Sequence, residues 1–337
     1  MSTPPIPGSG RAARMHRRKA KRIALFASLL IIIALLLCAV ILLAVQIANV
    51  SSQIEHPADQ SGDTTPPPSG DTTPPTQDAS AGYTAFMYDS AKMREGTLVL
   101  VNKDHEYTFP ATVSHMSDIR GSRVKSADGN YPYSCDYDKL MDTEALGAFN
   151  EMMDAFYTAT GNGYALVFDA YRSAEVQDAM GSSTKSGYSD HHTGYLVTVK
   201  FLADGVMYGT QDSKFSADYA WLEENAHKFG FVVRYPNNKI AQTGVSDYSN
   251  AYRYVGKAHA AYMSQNNLCL EEYVELLKNH NLFDSHLSVT DSDGVRYEIY
   301  RIAASTAAQT SVQVPAGKQY SISGDNDGGL IVTAKLD

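Results

Sequence analysis

Acidic residues are absent from the first 49 residues of this 337-residue chain, although the same stretch carries seven of its 28 lysines and arginines. The remainder therefore holds 21 basic against 37 acidic residues, a balance of −16. A protein that binds nucleic acid needs a basic surface to neutralise phosphates. The distribution of charge thus argues against a nucleic-acid partner.

Charge of either sign is missing from Ile23 to Ile47, a run of 25 mostly apolar residues. About 20 such residues span a bilayer, and the basic tail of residues 1–22 predicts that the N-terminus stays in the cytoplasm. The run lacks the small residues of a signal-peptide cleavage site, and Leu37 before Cys38 does not fit a lipoprotein signal. We therefore expect a single-pass protein of the cell membrane, with everything after Ile47 extracytoplasmic.

Cysteine is scarce. Cys38 falls within the apolar run, whereas Cys135 and Cys269 belong to the extracytoplasmic part. These two are either a disulfide or two separate thiols, and their spacing does not decide between the alternatives.

A linker and two folded segments follow the apolar run. Residues 48–82 contain "SGDTTPP" twice, at Ser61–Pro67 and Ser69–Pro75, and a tract of this composition predicts a disordered linker. Residues 83–283 mix helical and strand patterns, which indicates an α+β domain. Residues 284–337 alternate polar and apolar side chains between Gly/Asp turns, which predicts a small all-β module.

Within the α+β segment, the patterns predict individual elements. Asp142–Gly161 has apolar residues at helical spacing, an acidic start and a glycine stop, and therefore predicts a helix. The apolar runs at Thr97–Lys103, Tyr164–Ser173 and Tyr195–Phe201 predict strands.

Short motifs between Leu98 and Leu277 follow one another in a characteristic order. They are "LVLVNKD" (98–104), "DAYRS" (169–173) with Gln177, "SDHHTG" (189–194), "WLEENAHKFGFVVRYP" (221–236), "TG" (243–244), "YRYVGKAHA" (252–260) and "LEEY" (270–273). In this order they resemble the VanY-type D-alanyl-D-alanine carboxypeptidases, zinc peptidases that trim peptidoglycan stem peptides. The resemblance covers about 180 residues and implies the VanY/LAS-type metallopeptidase fold around a small antiparallel sheet.

The resemblance also implies a zinc site, in which two histidines and an aspartate leave a fourth position for water and a glutamate acts as general base. Here His191 stands at the first ligand position. Thr198 stands at the aspartate position, Ala251 at the second histidine position and Tyr248 at the general-base position. Because a methyl group cannot ligate a metal, we expect no zinc cofactor and no catalytic residue.

Another part of the family's site is present. In the family, an arginine and a serine hold the terminal carboxylate of the substrate, and the resemblance places these roles on Arg172 and Ser189. Tyr171 and Gln177 are expected to line the same cleft. A guanidinium suits a carboxylate because it donates two parallel hydrogen bonds. The alternative is that Arg172 only pairs with a structural acid such as Asp169.

Three hypotheses follow. The favoured one is a membrane-anchored, catalytically inactive relative that binds the carboxylate end of cell-wall peptides. The second is an active zinc D,D-carboxypeptidase or endopeptidase that uses His191 with His192 or His259 as replacement ligands. The third is a structural cell-envelope protein with a vestigial cleft.

Overall fold

The computed structural model describes residues 82–111, 115–246 and 248–336. The predicted cytoplasmic tail, the apolar run and almost all of the linker lie outside these residues. Within them, no helix has the length and apolar character needed to cross a membrane. The single-pass anchor therefore remains a prediction.

The described residues form the following elements. The strands are β1 (Tyr83–Asp89), β2 (Met116–Asp118), β3 (Ser134–Cys135), β4 (Leu140–Asp142), β5 (Ala165–Asp169), β6 (Leu196–Ala203), β7 (Val206–Tyr208), β8 (Phe231–Val233), β9 (Ala251–Tyr254), β10 (Leu287–Thr290), β11 (Arg296–Ala303), β12 (Gln309–Pro315), β13 (Tyr320–Gly324) and β14 (Gly329–Lys335). The α-helices are α1 (Thr143–Thr160), α2 (Ala174–Ala179), α3 (Ser216–Asn225), α4 (Ile240–Thr243), α5 (Lys257–Gln265) and α6 (Leu270–Leu277).

A sheet of order β3-β5-β6-β9-β8, with β7 paired to β6, forms the centre of the α+β part. Every pair in it is antiparallel except β3 with β5. Helix α1 packs its apolar stripe against this sheet, so that Phe149 and Phe156 share one core with Val197 and Phe201. The mixed α/β content confirms the expected fold class, and the sheet places β6 and β9 side by side.

Helix α1 confirms the prediction for residues 142–161. The Asp142 side chain caps its N-terminus by accepting hydrogen bonds from the backbone N–H groups of Glu144 and Ala145. Its buried positions follow the helical period. Gly161 ends it at a φ of 67°, a left-handed conformation that glycine adopts without strain.

The strand predicted over Thr97–Lys103 is wrong. Leu98 to Val101 are buried, but they do not join a sheet. The carbonyl of Val99 accepts a hydrogen bond from Arg253 at 3.0 Å, and that of Val101 accepts one from Arg234 at 3.2 Å. A buried backbone needs hydrogen-bond partners, and here arginine side chains replace a neighbouring strand.

The C-terminal β module contains a four-stranded antiparallel sheet of order β10-β11-β14-β13. Its second layer pairs β12 with β1, which comes from the very start of the described chain. Tyr300, Val312 and Leu330 form its core, and Tyr83 and Phe86 of β1 pack against it. Residues 83–89, assigned by sequence to the α+β segment, therefore join the β module.

Cys135 and Cys269 are both free and buried. Burial raises the pKa of each thiol to about 12. The structure thus favours the alternative of two separate, protonated thiols over a disulfide.

Candidate functional site

A single turn of 3₁₀ helix, Asp190–Thr193, precedes β6 and carries both adjacent histidines. The turn ends at Gly194, whose φ is 77° and where a Cβ atom would lie 2.2 Å from the Met116 methyl carbon. Only glycine fits this position without displacement. The turn buries both His191 and His192.

A chain of hydrogen bonds joins three of the four positions that the family uses for zinc chemistry. His191 Nδ1 lies 2.6 Å from the carbonyl oxygen of Ala170, so it must donate, and Nε2 is left as an acceptor. The Tyr248 hydroxyl lies 3.0 Å from Nε2 and therefore donates to it. Thr198 Oγ1 lies 3.1 Å from the same hydroxyl and donates in turn.

Ala251, the fourth position, lies beside this chain. Strands β6 and β9 pair Thr198 directly with Ala251, which places their Cβ atoms about 5 Å apart on one face of the sheet. Both residues are fully buried. The fold therefore brings the four positions together as the resemblance implied, and Tyr248 places its hydroxyl between the side chains at 191 and 198.

Burial keeps this hydrogen-bonded chain uncharged. Together with the positive charge of Arg172, it lowers the pKa of His191 to about 4. Burial also raises the pKa of the Tyr248 phenol. Both groups are therefore neutral at pH 7, and neither acts as an ionised base or nucleophile.

Zinc does not fit this set of residues. His191 Nε2, the nitrogen that would ligate, accepts the Tyr248 hydrogen bond, and the partners at 198 and 251 offer a neutral hydroxyl and a methyl group. Nowhere among the described residues do three or more His, Cys, Asp or Glu side chains gather in a group that could hold a metal ion.

The histidines proposed as replacement ligands are engaged elsewhere. His192 Nε2 accepts from the Gly187 backbone N–H at 3.1 Å, while Nδ1 donates to the Arg172 carbonyl at 2.7 Å. His259 bridges the hydroxyls of Tyr273 and Thr333 at 2.8 and 2.9 Å. Each imidazole therefore uses both of its ring nitrogens in hydrogen bonds that hold the fold together, and a metal would need one of those nitrogens.

Arg172 lies beside His191 and is held by two side chains. Its Nε donates to Asp169 Oδ2 at 2.8 Å, and Nη2 pairs with the same oxygen. Its Nη1 donates to Gln177 Oε1 at 3.0 Å. The structural ion pair with Asp169 is thus real, but these bonds use only three of the five N–H groups of the guanidinium. Of the two remaining N–H groups, one lies against the Tyr248 hydroxyl, and the other remains for a ligand.

A cavity of about 670 Å³ opens over these residues. Arg172, Gln177, Ser189, His191 and Tyr248 all line it. No described residue hydrogen-bonds the Ser189 hydroxyl, which leaves it free to donate. The charged residues that the structure describes in its lining are cationic, as a site for an anionic ligand requires.

The expected cleft residue Tyr171 lies elsewhere, and Arg253 does not line this cavity either. Tyr171 lines a separate cavity of about 280 Å³, on the side of the turn where His192 lies. Arg253 is fully buried and lies 3.0 Å from Asp190.

Sequence reasoning missed the buried ionic network that holds the histidine turn. Asp190 pairs with both Arg234 and Arg253, and the side chains of all three are fully buried. Arg234 also donates to both carboxylate oxygens of Glu271, at 2.9 and 2.7 Å. The sequence does carry a signal for this network, because two of its arginines lie inside apolar, strand-like runs. An arginine is almost never buried without a partner, so each of the two implied a buried acid.

Comparison with known proteins identifies relatives of this chain. The family model described as "VanY: D-alanyl-D-alanine carboxypeptidase" matches residues 167–257. A D-alanyl-D-alanine carboxypeptidase of Enterococcus faecium is 32% identical over 247 residues, which cover 71% of this chain and 75% of that protein. A protein of the same description from Enterococcus faecalis (strain ATCC 700802 / V583) is 30% identical over 203 residues, covering 55% and 68%.

A solved structure shares the fold. It is the vancomycin resistance D,D-dipeptidase VanXYg in complex with a D-Ala-D-Ala phosphinate analog. It superposes with a TM-score of 0.62 at 21% identity and covers 75% of this chain and 99% of its own.

Proposed function

This chain belongs to the VanY-type D-alanyl-D-alanine carboxypeptidase family, and we propose that it binds the carboxyl end of peptidoglycan peptides without hydrolysing them. The observation that carries the proposal is the Tyr248 hydroxyl, which bonds to His191 Nε2 and Thr198 Oγ1 beside the methyl group of Ala251. Peptide hydrolysis in the family needs a metal-bound water and a carboxylate base. The residues at positions 198, 248 and 251 support neither of them.

Binding is supported by the other half of the cavity. Arg172 is oriented by Asp169 and Gln177, and its terminal nitrogens keep N–H groups that can donate to a carboxylate, one of them beside the Tyr248 hydroxyl. Ser189 adds a free hydroxyl on the same wall. A prearranged guanidinium loses little conformational freedom when it binds, so this arrangement suits recognition of a peptide terminus.

We further propose that the protein acts at the outer face of the cell membrane. The uncharged run from Ile23 to Ile47 behind a basic tail supports anchoring, and the Pro/Thr-rich residues 48–82 support a spacer between membrane and folded part. Localisation of a tagged full-length chain, with protease accessibility of its C-terminus in intact cells, tests this arrangement.

The proposal makes a direct prediction for metal content and activity. The purified full chain, incubated with zinc and desalted, should retain no stoichiometric metal and should release no D-alanine from a peptide ending in D-Ala-D-Ala. The same peptide should bind, and Arg172→Lys should weaken binding because a lysine cannot form the two-pronged contact. Glu175→Gln, an exposed change nearby, is the matched control and should bind like the parent chain.

A variant with the family's zinc-site residues restored serves as a positive control for the absence of zinc in the parent chain. Thr198→Asp, Tyr248→Glu and Ala251→His together restore the family's residue types at positions that the fold already brings together. This variant should retain zinc under conditions in which the parent chain does not. About one zinc per parent chain, or D-alanine release that a chelator stops, would overturn the proposal in favour of an active enzyme. Absence of peptide binding would favour a structural protein.

A further inference from the structure

The cavity above Arg172 carries more positive charge than one terminal carboxylate requires. Lys103 and Lys185 line it together with Arg172. Arg172 is paired with Asp169, and Lys103 lies against Asp104. By contrast, no carboxylate among the described residues pairs with Lys185. Its ammonium group is therefore available to a ligand in the cavity.

A buried amide fixes Lys185 relative to Arg172. Gln177 is 1% exposed, and its Oε1 accepts from Arg172 Nη1 at 3.0 Å. Its Nε2 donates to both Ser182 Oγ and the Thr184 carbonyl, each at 2.9 Å. One side chain thus connects the guanidinium to the loop that ends at Lys185.

The far side of the same loop is also held. The Lys185 carbonyl accepts from the Tyr188 backbone N–H at 3.1 Å, and the Ser186 N–H donates to Asp178 Oδ1 at 3.3 Å. The backbone at Lys185 is therefore fixed on both sides, and only its side chain is free to move. Such a loop presents a cation at a set place on the cavity wall.

We propose that Lys185 forms a second anion subsite, which selects peptides carrying an additional carboxylate upstream of their carboxyl terminus. This inference rests on the proposed function, since Arg172 must hold the terminal carboxylate for Lys185 to meet the second one. Gln177 is the positioning residue that sets the spacing between the two cations. The subsite gives specificity more than affinity, because an exposed ion pair contributes little free energy.

Two isosteric peptides test the subsite on the full chain. They are acetyl-Glu-D-Ala-D-Ala and acetyl-Gln-D-Ala-D-Ala, which differ by one charge but hardly in shape. At low salt we expect the Glu peptide to bind about two- to fivefold more tightly, the range that an exposed ion pair supplies. The ratio should approach one in about 0.5 M salt because the charges are then screened.

Variants assign the preference to one residue. Lys185→Gln should bring the ratio of the two affinities to about one. Lys125→Gln removes the same charge from an exposed position that does not line the cavity, and should keep the preference. A ratio near one in the parent chain, or a preference that survives Lys185→Gln, overturns the inference.

The binding results distinguish a failure of the Lys185 subsite from a failure of the proposed function. Equal binding of both peptides that is weakened by Arg172→Lys removes the second subsite but retains carboxylate recognition. If neither peptide binds, both proposals fall together.

Discussion

Replacing Asp190 by asparagine should cost more stability than any other single change that leaves side-chain volume unaltered at this site. Asp190 shares its two carboxylate oxygens between Arg234 and Arg253. Arg234 keeps Glu271 as a second counter-charge, whereas the other contacts of the Arg253 guanidinium are two carbonyl oxygens and the Tyr195 ring, none of them charged. Burial lowers the pKa of Arg253, which shows how weakly its charge is compensated. Asp190→Asn leaves that guanidinium buried without a negative partner.

The expected magnitude follows from this burial. Breaking a buried ion pair from one side typically costs about 3–5 kcal/mol, because the remaining charge is desolvated and unpaired. For a folded part of this size, 1 kcal/mol corresponds to a shift of about 2–4 °C in melting temperature. The variant should therefore unfold roughly 6–20 °C below the parent chain.

The single tryptophan provides the assay. Trp221 packs edge-on against Phe156 in the main core, with ring centroids 5.5 Å apart, so its fluorescence reports unfolding of the core. Urea titration of Asp190→Asn is compared with Asp138→Asn, which removes a carboxylate that is 76% exposed and paired with Lys139 at 3.6 Å. The control should change the unfolding free energy by less than about 0.5 kcal/mol. A loss below about 1 kcal/mol for Asp190→Asn would refute the buried network.

Three further predictions concern the same region. Tyr248→Phe should lower the unfolding free energy by about 1–3 kcal/mol, because His191 Nε2 then lacks its donor in a buried site; an unchanged urea midpoint would contradict this. Burial lowers the pKa of His191 to about 4 and that of His259 to about 3, so the unfolded chain takes up protons first as the pH falls below about 6.5. These two groups should therefore remove stability on the order of 3 kcal/mol between pH 6.5 and 5.0, and equal tryptophan-detected midpoints at both pH values would exclude this loss. Gly194→Ala should destabilise by about 1–3 kcal/mol, since its φ is 77° and the new methyl meets Met116, whereas Gly147→Ala, in open space within a helix, should not.

The order of elements could be predicted from the sequence where local signals agreed. Helix α1 has an aspartate cap, a helical apolar stripe and a terminal glycine, so three independent patterns indicate the same bounds. The run at 98–101 carries only one signal, its apolar character, and a buried run without periodicity does not specify what satisfies its backbone. Arg234 and Arg253 satisfy it from more than 130 positions away in the chain, a contact that no local pattern contains.

The candidate site could also be predicted only in part from the sequence. The positions of His191, Thr198 and Ala251 followed from motif order, and the pairing of β6 with β9 brings the last two together as the motifs implied. What the motifs did not reveal is the conformation of the Asp190–Thr193 turn, which buries adjacent histidines with different partners. They also did not reveal where Lys185 lies, because the loop carrying it is placed by the side chain of Gln177 and not by its own sequence.

Charge balance gives a reason why three of the four positions, 198, 248 and 251, differ from the family pattern together. In that pattern, the two charges of zinc are offset by one aspartate ligand and one glutamate base, and the histidines are neutral. Here a neutral threonine, tyrosine and alanine surround the neutral His191, so the buried site again sums to zero without a metal. Changing only Thr198 back to aspartate would place an uncompensated carboxylate in a fully buried position, which is costly. Arg172 beside this site is paired with Asp169, so the proposed carboxylate recognition by Arg172 does not require a metal.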